Sequence, residues 1–418
     1  MDATPTRDPG LARHAPLSLT AFVIVLACLM SLNALATDIM LPAFPDIALS
    51  LGDISVTRVQ AVITAYLIGF AISQAFVGFL SDWLGRRPVL LAGLAVYVVA
   101  SAATALSSDF EYLLLARLVQ GIGSGAPRVI ATAAVRDCYE GRRMAKVMSL
   151  TMTVFMAVPI IAPAIGQGIL AISNWRWVLG SVAIFGALIL AITWRSFPET
   201  LPPENRNAIS FARISAAVGS IVGSRQTVGY TMSAGAFFGA LIGFIGQSQQ
   251  LMVDVYGLGL WFPLVFAGLA LSLSASSFIN SALVERLGMR LLSHTAVICF
   301  TILSSIMLAF SLAGLLTFWV FALIHSANML LVGIVFANFN AMAMEPQGRF
   351  AGVASSFVGA LTVAIGASTG FFISSHFDGT STPMAAGLAI SGFATIALIL
   401  ITERGRLFKG MHQPTRLR

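Results

Sequence analysis

Charge is what this chain lacks. Val147–Trp175, Gln226–Val253, Val255–Val284, Leu291–Met344, Phe350–Phe377 and Gly379–Thr402 hold no aspartate, glutamate, lysine or arginine. Charged residues are 10% of the whole and hydrophobic ones 57%. A water-soluble domain carries roughly 25% charged residues, so solvation on all sides is excluded. Other absences narrow the function. Cys28, Cys138 and Cys299 stand far apart, without metal-ligand spacing, and no disulfide, metal or cofactor is expected. The Gly-x-x-x-x-Gly-Lys-Ser/Thr loop is missing, so ATP hydrolysis has no handle. Gly-x-Ser-x-Gly and His-Glu-x-x-His are missing as well, which leaves a membrane hydrolase without its usual nucleophile or metal site.

What is present is a succession of apolar segments of helical length, about 20 residues being enough to cross a bilayer. They are predicted at about 17–41, 57–80, 88–107, 111–134, 145–170, 177–196, 225–248, 258–283, 291–311, 315–341, 349–375 and 383–402. The expected fold is an all-α polytopic membrane protein, with twelve transmembrane helices in two six-helix bundles. Of 24 lysines and arginines, all but Arg58, Arg176, Arg117 and Arg128 fall in the tails or in alternate loops. Basic residues near span ends stay on the cytoplasmic side, which places both termini in the cytoplasm. The net charge of +7 is then a topology signal, and no nucleic-acid partner is expected. Met1–Ala15 is polar and leads straight into a full-length span, so no cleavable signal peptide is predicted.

The organisation follows as a tail at 1–16, a first bundle at 17–196, a linker at 197–224, a second bundle at 225–403 and a tail at 404–418. The linker opens Phe197-Pro-Glu-Thr-Leu-Pro-Pro-Glu-Asn-Arg206 and reads as a proline- and charge-rich loop. The final tail reads as a disordered basic end lying on anionic lipid.

One turn occurs twice. Gly78-Phe-Leu-Ser-Asp-Trp-Leu-Gly-Arg-Arg-Pro88 has a weaker copy in Glu285-Arg-Leu-Gly-Met-Arg290, with Asp82, Leu84, Gly85 and Arg87 falling on Glu285, Leu287, Gly288 and Arg290. Gly78 and Gly85 allow close approach and a tight turn, and Pro88 suits a first helical turn. Asp82 is able to cap the next helix or pair with a base, while Arg86 and Arg87 anchor to the cytoplasmic face. An ordinary basic turn would account for the arginines but not for Asp82 and the glycine spacing. Duplicated parallel halves place a substrate site between them at mid-membrane depth.

Polar residues inside spans are expensive and mark pathways or buried partners. In Arg117-Leu-Val-Gln-Gly-Ile-Gly-Ser-Gly125, Arg117 shares a helix face with Gln120, and the glycines permit close helix packing. A structural buried ion pair is the plainer reading of Arg117. Arg128 is read as snorkelling to the inner interface. Asp38, in Thr37-Asp-Ile-Met-Leu-Pro-Ala-Phe-Pro45, is the one acid expected inside any span; it is either a proton carrier or a helix-end cap. Pro159, Pro163 and Gly166 in the fifth span are expected to bend that helix and pack it against its counterpart. The substrate cavity is expected to draw on Asn33, Tyr66, Phe237, Gln247, His325 and Asn338, although packing is the plainer reading of the four in the second half.

These motifs resemble those of the major facilitator superfamily. The Gly78–Pro88 turn is similar to its loop signature, with Trp83 standing where a basic residue is common. The resemblance implies a conformational latch of Gly78, Asp82, Gly85, Arg86 and Arg87, completed by Asp137 at the end of the fourth span. Arg117–Gly125 resembles the second signature of the drug:proton antiporters, which implies proton coupling through Asp38, Arg117 and Gln120. Asp38-x-x-x-Pro42-x-x-Pro45 is similar to the start of the bicyclomycin- and chloramphenicol-resistance branch. Pro163 and Gly166 match the antiporter signature of the fifth span, from which Val158, Ala162 and Gln167 depart. The implied function is proton-coupled efflux of small organic molecules, drugs among them, across the bacterial inner membrane by alternating access. The implied partners are a small-molecule substrate, protons and lipid, with the protein a monomer and not an enzyme. A dedicated exporter of an amino acid or siderophore is the alternative, and a receptor or membrane-embedded enzyme stands behind both.

Overall fold

The computed structural model describes residues 17–206 and 211–408. The tail at 1–16, linker positions 207–210 and the tail from 409 onward lie outside the described residues. The helices are α1 Leu19–Asp38, α2 Phe44–Ser50, α3 Val56–Val59, α4 Ala61–Leu84, α5 Arg86–Ala105, α6 Phe110–Cys138, α7 Gly141–Ile172 and α8 Trp175–Ser196. They continue as α9 Phe211–Gly223, α10 Arg225–Gln250, α11 Phe262–Leu287, α12 Met289–Leu312, α13 Phe318–Met344, α14 Ala351–Ser374 and α15 Thr382–Thr402. Among the described residues there is no strand, and 11 segments are long and apolar enough to cross a membrane. The twelfth long helix is α6, whose 29 residues are diluted by glycines and by Arg117, Arg128, Arg136 and Asp137.

Local chemistry sets the helix ends. Ser18, Asp109, Asn174 and Ser224 accept backbone N–H groups as side-chain N-caps of α1, α6, α8 and α10, satisfying donors that a helix start leaves free. Gly85 and Gly288 close α4 and α11 at φ/ψ of 101°/157° and 79°/155°, a region open to glycine and strained for other residues. The repeated turn of the sequence is therefore a repeat of backbone conformation.

The packing repeats too. In the first bundle α1 packs on α7, α4 on α6, and α5 on both α6 and α8. In the second, α10 packs on α14, α11 on α13, and α12 on both α13 and α15. Each pairing recurs six membrane helices later. The bundles meet chiefly where α4 lies on α14 and α7 on α11, two contacts that exchange under the same repeat. Gln60 at the start of α4 hydrogen-bonds Gln250 at 2.5 Å. Near the other end of α4, Gly78 lies against Ser356 of α14.

The glycines of α6 explain the density of the first bundle. Gly121 rests on the backbone of Tyr66 and Phe70 in α4, Gly123 on that of Tyr97 in α5, and Gly125 on Ser73. Lipid tails offer helices no hydrophobic reason to associate, so close backbone approach must supply the attraction.

Three features differ from the sequence reading. The first span does not end near 41: Pro42 and Pro45 remove backbone donors, α1 stops at Asp38, and the chain continues through a 3₁₀ turn at Leu41–Ala43 and α2 as far as Ser50. The linker is not all loop, because α9 buries Ala217 and Ile221 and joins Gln347 through Ser220 at 3.1 Å. The C-terminal tail does not leave the protein at Arg404: the Phe408 N–H donates to His294 Nδ1 at 3.1 Å.

A Cβ at Gly121 would overlap backbone atoms of α4, whereas one at Gly168 meets nothing within 4 Å. Overpacking of this kind costs about 1–3 kcal/mol. Gly121→Ala is expected to lower the thermal unfolding midpoint of the detergent-purified protein by several degrees, with Gly168→Ala leaving it unchanged.

Candidate functional site

The end of α1 gathers most of the polar residues singled out in the first bundle. A helix end leaves carbonyls without amide partners, and the Ala36 carbonyl, in the last turn of α1, accepts from Arg117 Nη2 at 3.0 Å. Arg117 also donates to the Val62 carbonyl at 3.3 Å and to Gln120 Oε1 at 2.7 Å, and it lies over the Tyr66 ring at 4.7 Å. The side chain is 0% exposed. Among the described residues no carboxylate pairs with it, so the buried ion pair considered from sequence is replaced by carbonyls and an aromatic face.

Asp38 lies two positions beyond Ala36 and is 4% exposed. Its carboxylate accepts from Thr37 Oγ1 at 3.0 Å, and among the described residues no cation stands within ion-pair distance. Gly166 of α7 packs on the Ile39 carbonyl and Pro42, closing the site from the other side. Pro159 and Pro163 lie within α7, which runs unbroken through both.

Several members of this cluster carried no sequence motif. Gln120 Nε2 donates to Ser101 Oγ at 2.7 Å, and the Tyr97 hydroxyl donates to the Leu32 carbonyl at 3.1 Å. Tyr66 donates to Asn33 Oδ1 at 2.6 Å, and Ser124 reaches the same oxygen at 3.4 Å. Ser101 and Tyr97 are common helix residues outside any motif, and only their facing reveals them, whereas Ser124 lies within the Arg117–Gly125 stretch.

A second cluster ties the turn before α5. Arg86 pairs with Asp82 at 2.6 Å and with Asp137 at 3.1 Å, and donates to Ser81 Oγ at 2.7 Å. Arg87 turns away and donates to the Trp194 carbonyl at 2.6 Å. The added member is Glu199 of the linker: its carboxylate accepts the backbone N–H groups of Arg86 at 2.9 Å and Arg87 at 3.3 Å, and meets Arg206 at 3.6 Å. Thr200 donates to Asp137 at 3.1 Å. An acid at a helix start was readable in principle, but Glu199 lies more than a hundred residues from the helix it caps.

The second bundle has a counterpart. Arg290 meets Glu403 at 3.1 Å and Glu345 at 3.2 Å, and the Tyr230 hydroxyl donates to Glu403 at 2.6 Å.

The four cavity candidates of the second bundle are not brought together. Phe237 packs against Phe300 with the rings tilted and their centres 4.5 Å apart. Gln247 donates to the Ile373 carbonyl at 2.9 Å, and Asn338 to Asn280 at 2.6 Å. His325 lies between Phe244 and Phe321 at 4.1 and 5.2 Å, and neither ring nitrogen has a hydrogen-bond partner. All four are buried. Arg128 lies over the Phe155 ring of α7 at 5.0 Å, about 15 Å along α6 before Cys138 at 1.5 Å per residue.

The paired bundles and the two clusters agree with what the chain resembles as a whole, since the Major Facilitator Superfamily profile matches residues 26–371. The chain belongs to that superfamily. It is 29% identical to the bicyclomycin resistance protein homolog of Haemophilus influenzae, over 93% of this chain and 98% of that protein. It is 30% identical to a chloramphenicol resistance protein of Pseudomonas aeruginosa, over 80% of this chain and 78% of that one. The human organic anion transporter MFSD10 (TETRAN) superposes with a TM-score of 0.69 over 92% of this chain and 100% of its own, at 18% identity, which shows the shared fold. As a member of the superfamily the protein is a membrane transporter and not an enzyme.

Removing a capping side chain costs about 0.5–2 kcal/mol, whereas a partly exposed ion pair is worth about 0–1 kcal/mol. Glu199→Ala is expected to lower the unfolding midpoint and speed proteolysis between 197 and 206, with Arg206→Ala producing a smaller change in both.

Proposed function

We propose that this transporter exports small organic molecules, drugs among them, from the cytoplasm across the bacterial inner membrane in exchange for protons, by alternating access, with Asp38 as the proton carrier. The observation that carries the reading is the placement of Asp38: a buried carboxylate without a cation, two residues from the carbonyl that holds Arg117. A buried charge without a partner costs several kcal/mol. Protonation removes that cost at Asp38. Deprotonation restores it and favours a shift of Arg117 from the Ala36 carbonyl to the carboxylate. The concentration of basic residues in the tails and alternate loops supports a cytoplasmic position for both tails.

The same cluster touches both helices through which the first bundle meets the second. Arg117 holds α4 through the Val62 carbonyl and the Tyr66 ring, and the Asp38 turn holds α7 through Gly166. α4 lies on α14, and α7 on α11. A proton-dependent move at the end of α1 is therefore felt at both seams. Arg86 with Asp82, Asp137 and Glu199 fastens the cytoplasmic ends of α4, α5 and α6 into one unit, and Gly78 against Ser356 is where that unit touches the other bundle. One charge crossing the membrane potential supplies about 2.3 kcal/mol per 100 mV, to which a pH gradient adds. The resistance proteins among the relatives support drugs as the substrate class.

The test uses everted vesicles energised to an acidic interior, with wild type, Asp38→Asn and Arg117→Lys challenged by drugs, amino acids and siderophores. Wild type is expected to release protons on addition of several unrelated drugs, Asp38→Asn on none, and Arg117→Lys at a small fraction of the wild-type rate. Release that survives Asp38→Asn removes Asp38 from the coupling, and a response to one metabolite alone makes the protein a dedicated exporter.

A further inference from the structure

Arg128 is a cation inside a span with nothing to answer it. Its guanidinium rests on the Phe155 ring at 5.0 Å, Nη1 is buried without a hydrogen-bond partner, and no carboxylate among the described residues pairs with it. A charge inside a span is costly, and a buried donor left without its hydrogen bond adds to that cost. Such a group is kept only if something completes it.

A second orphan lies on the neighbouring turn. Ser124, one turn from Arg128 on the same face of α6, reaches Asn33 Oδ1 at 3.4 Å, and Tyr66 donates to that oxygen at 2.6 Å. Both contacts use the oxygen of Asn33, and its Nδ2 is left buried and unpartnered. The unsatisfied groups of Asn33 and Arg128 are both donors, one amide and one guanidinium, while Gln74 Oε1 on α4 is an unpartnered acceptor. Phe155 covers the flat face of the guanidinium, so its N–H edge is what remains to bind. A planar fork of N–H groups matches a carboxylate in two-point geometry, and the Asn33 amide, held beside Ser124 one helical turn away, offers a further donor.

We infer that Arg128 and Asn33 form an anion subsite, and that the exported molecules include small organic carboxylates seated with the acid group on Arg128. The inference rests on the export reading above and names a substrate class for it. It asks nothing of Asp38.

The test is equilibrium binding to the full-length protein purified in detergent, so that proton coupling plays no part. The probes are naphthoate, its methyl ester and naphthylmethylamine, against wild type, Arg128→Gln, Arg128→Lys and Asp38→Asn. A charge-assisted hydrogen bond worth about 1.5–3 kcal/mol corresponds to roughly ten-fold or more in affinity. Wild type is expected to prefer naphthoate to the ester by about that factor. Arg128→Gln should erase the preference while leaving ester binding intact, Arg128→Lys should keep part of it, and Asp38→Asn should retain it whether or not it transports. Equal binding of acid and ester by wild type overturns the inference without recourse to any variant. An unchanged preference in Arg128→Gln also overturns it. Phosphatidylglycerol offers the same anionic chemistry, and a site that this lipid fills but millimolar naphthoate does not enter overturns the substrate assignment. Loss of proton exchange with naphthoate selectivity intact removes the coupling mechanism and leaves the subsite standing.

Discussion

Inside a bilayer no water completes a broken helix, and every carbonyl released at a helix end must find its donor within the protein. The first membrane helix is interrupted: Pro42 and Pro45 remove backbone donors, α1 stops at Asp38, and the chain goes on through a 3₁₀ turn into α2. The carbonyl of Ala36 then needs a donor, and Arg117 of α6 supplies it. Arg117 in turn needs more than one acceptor, and α4 gives the Val62 carbonyl and the Tyr66 ring. Backbone satisfaction at one helix end thus locks α1, α4 and α6 together, and the acid that follows the break is buried as a consequence.

Such locking works only because the helices come close enough. Arg117 spans from α6 to two neighbouring backbones, and the glycines that follow it on α6 let α4 and α5 approach to backbone contact. A larger side chain at Gly121 would pull the Val62 carbonyl out of Arg117's reach as well as loosening the packing. Close packing and polar chemistry are therefore one requirement in this bundle.

Much of this was legible in the residues. Charge-free runs and basic loops mark the twelve long helices and their halves, and the Gly85 and Gly288 turns are alike because both need the same backbone region. Asp38, Arg117 and Gln120 stand out since polar groups inside spans are rare. Facing was harder to read. Asn33 and Tyr66 lie within the Arg117 cluster, but Phe237, Gln247, His325 and Asn338 face helix joints of the second bundle, because a residue type says nothing about which way its helix is turned. Long-range partners were invisible: Glu199 serves a helix start far away in the chain, and the α9 helix was overlooked although Phe211, Ile214, Val218 and Ile221 follow helical spacing.

The duplicated turn hides a change of register. Arg290 aligns with Arg87, yet it does what Arg86 does: it binds an acid at the end of the fourth helix of its bundle, Glu345 as against Asp137. Another acid just past the sixth helix serves the same turn in each half: the Glu403 carboxylate meets the Arg290 guanidinium, and the Glu199 carboxylate accepts the backbone N–H groups of Arg86 and Arg87. What survived duplication is a knot at the base of each bundle rather than a residue position. Among the described residues each half carries its own fastening for its third, fourth and sixth helices. The protein is in that sense two self-bound pieces on one string, each tied at its own base and touching the other along the α4–α14 and α7–α11 seams.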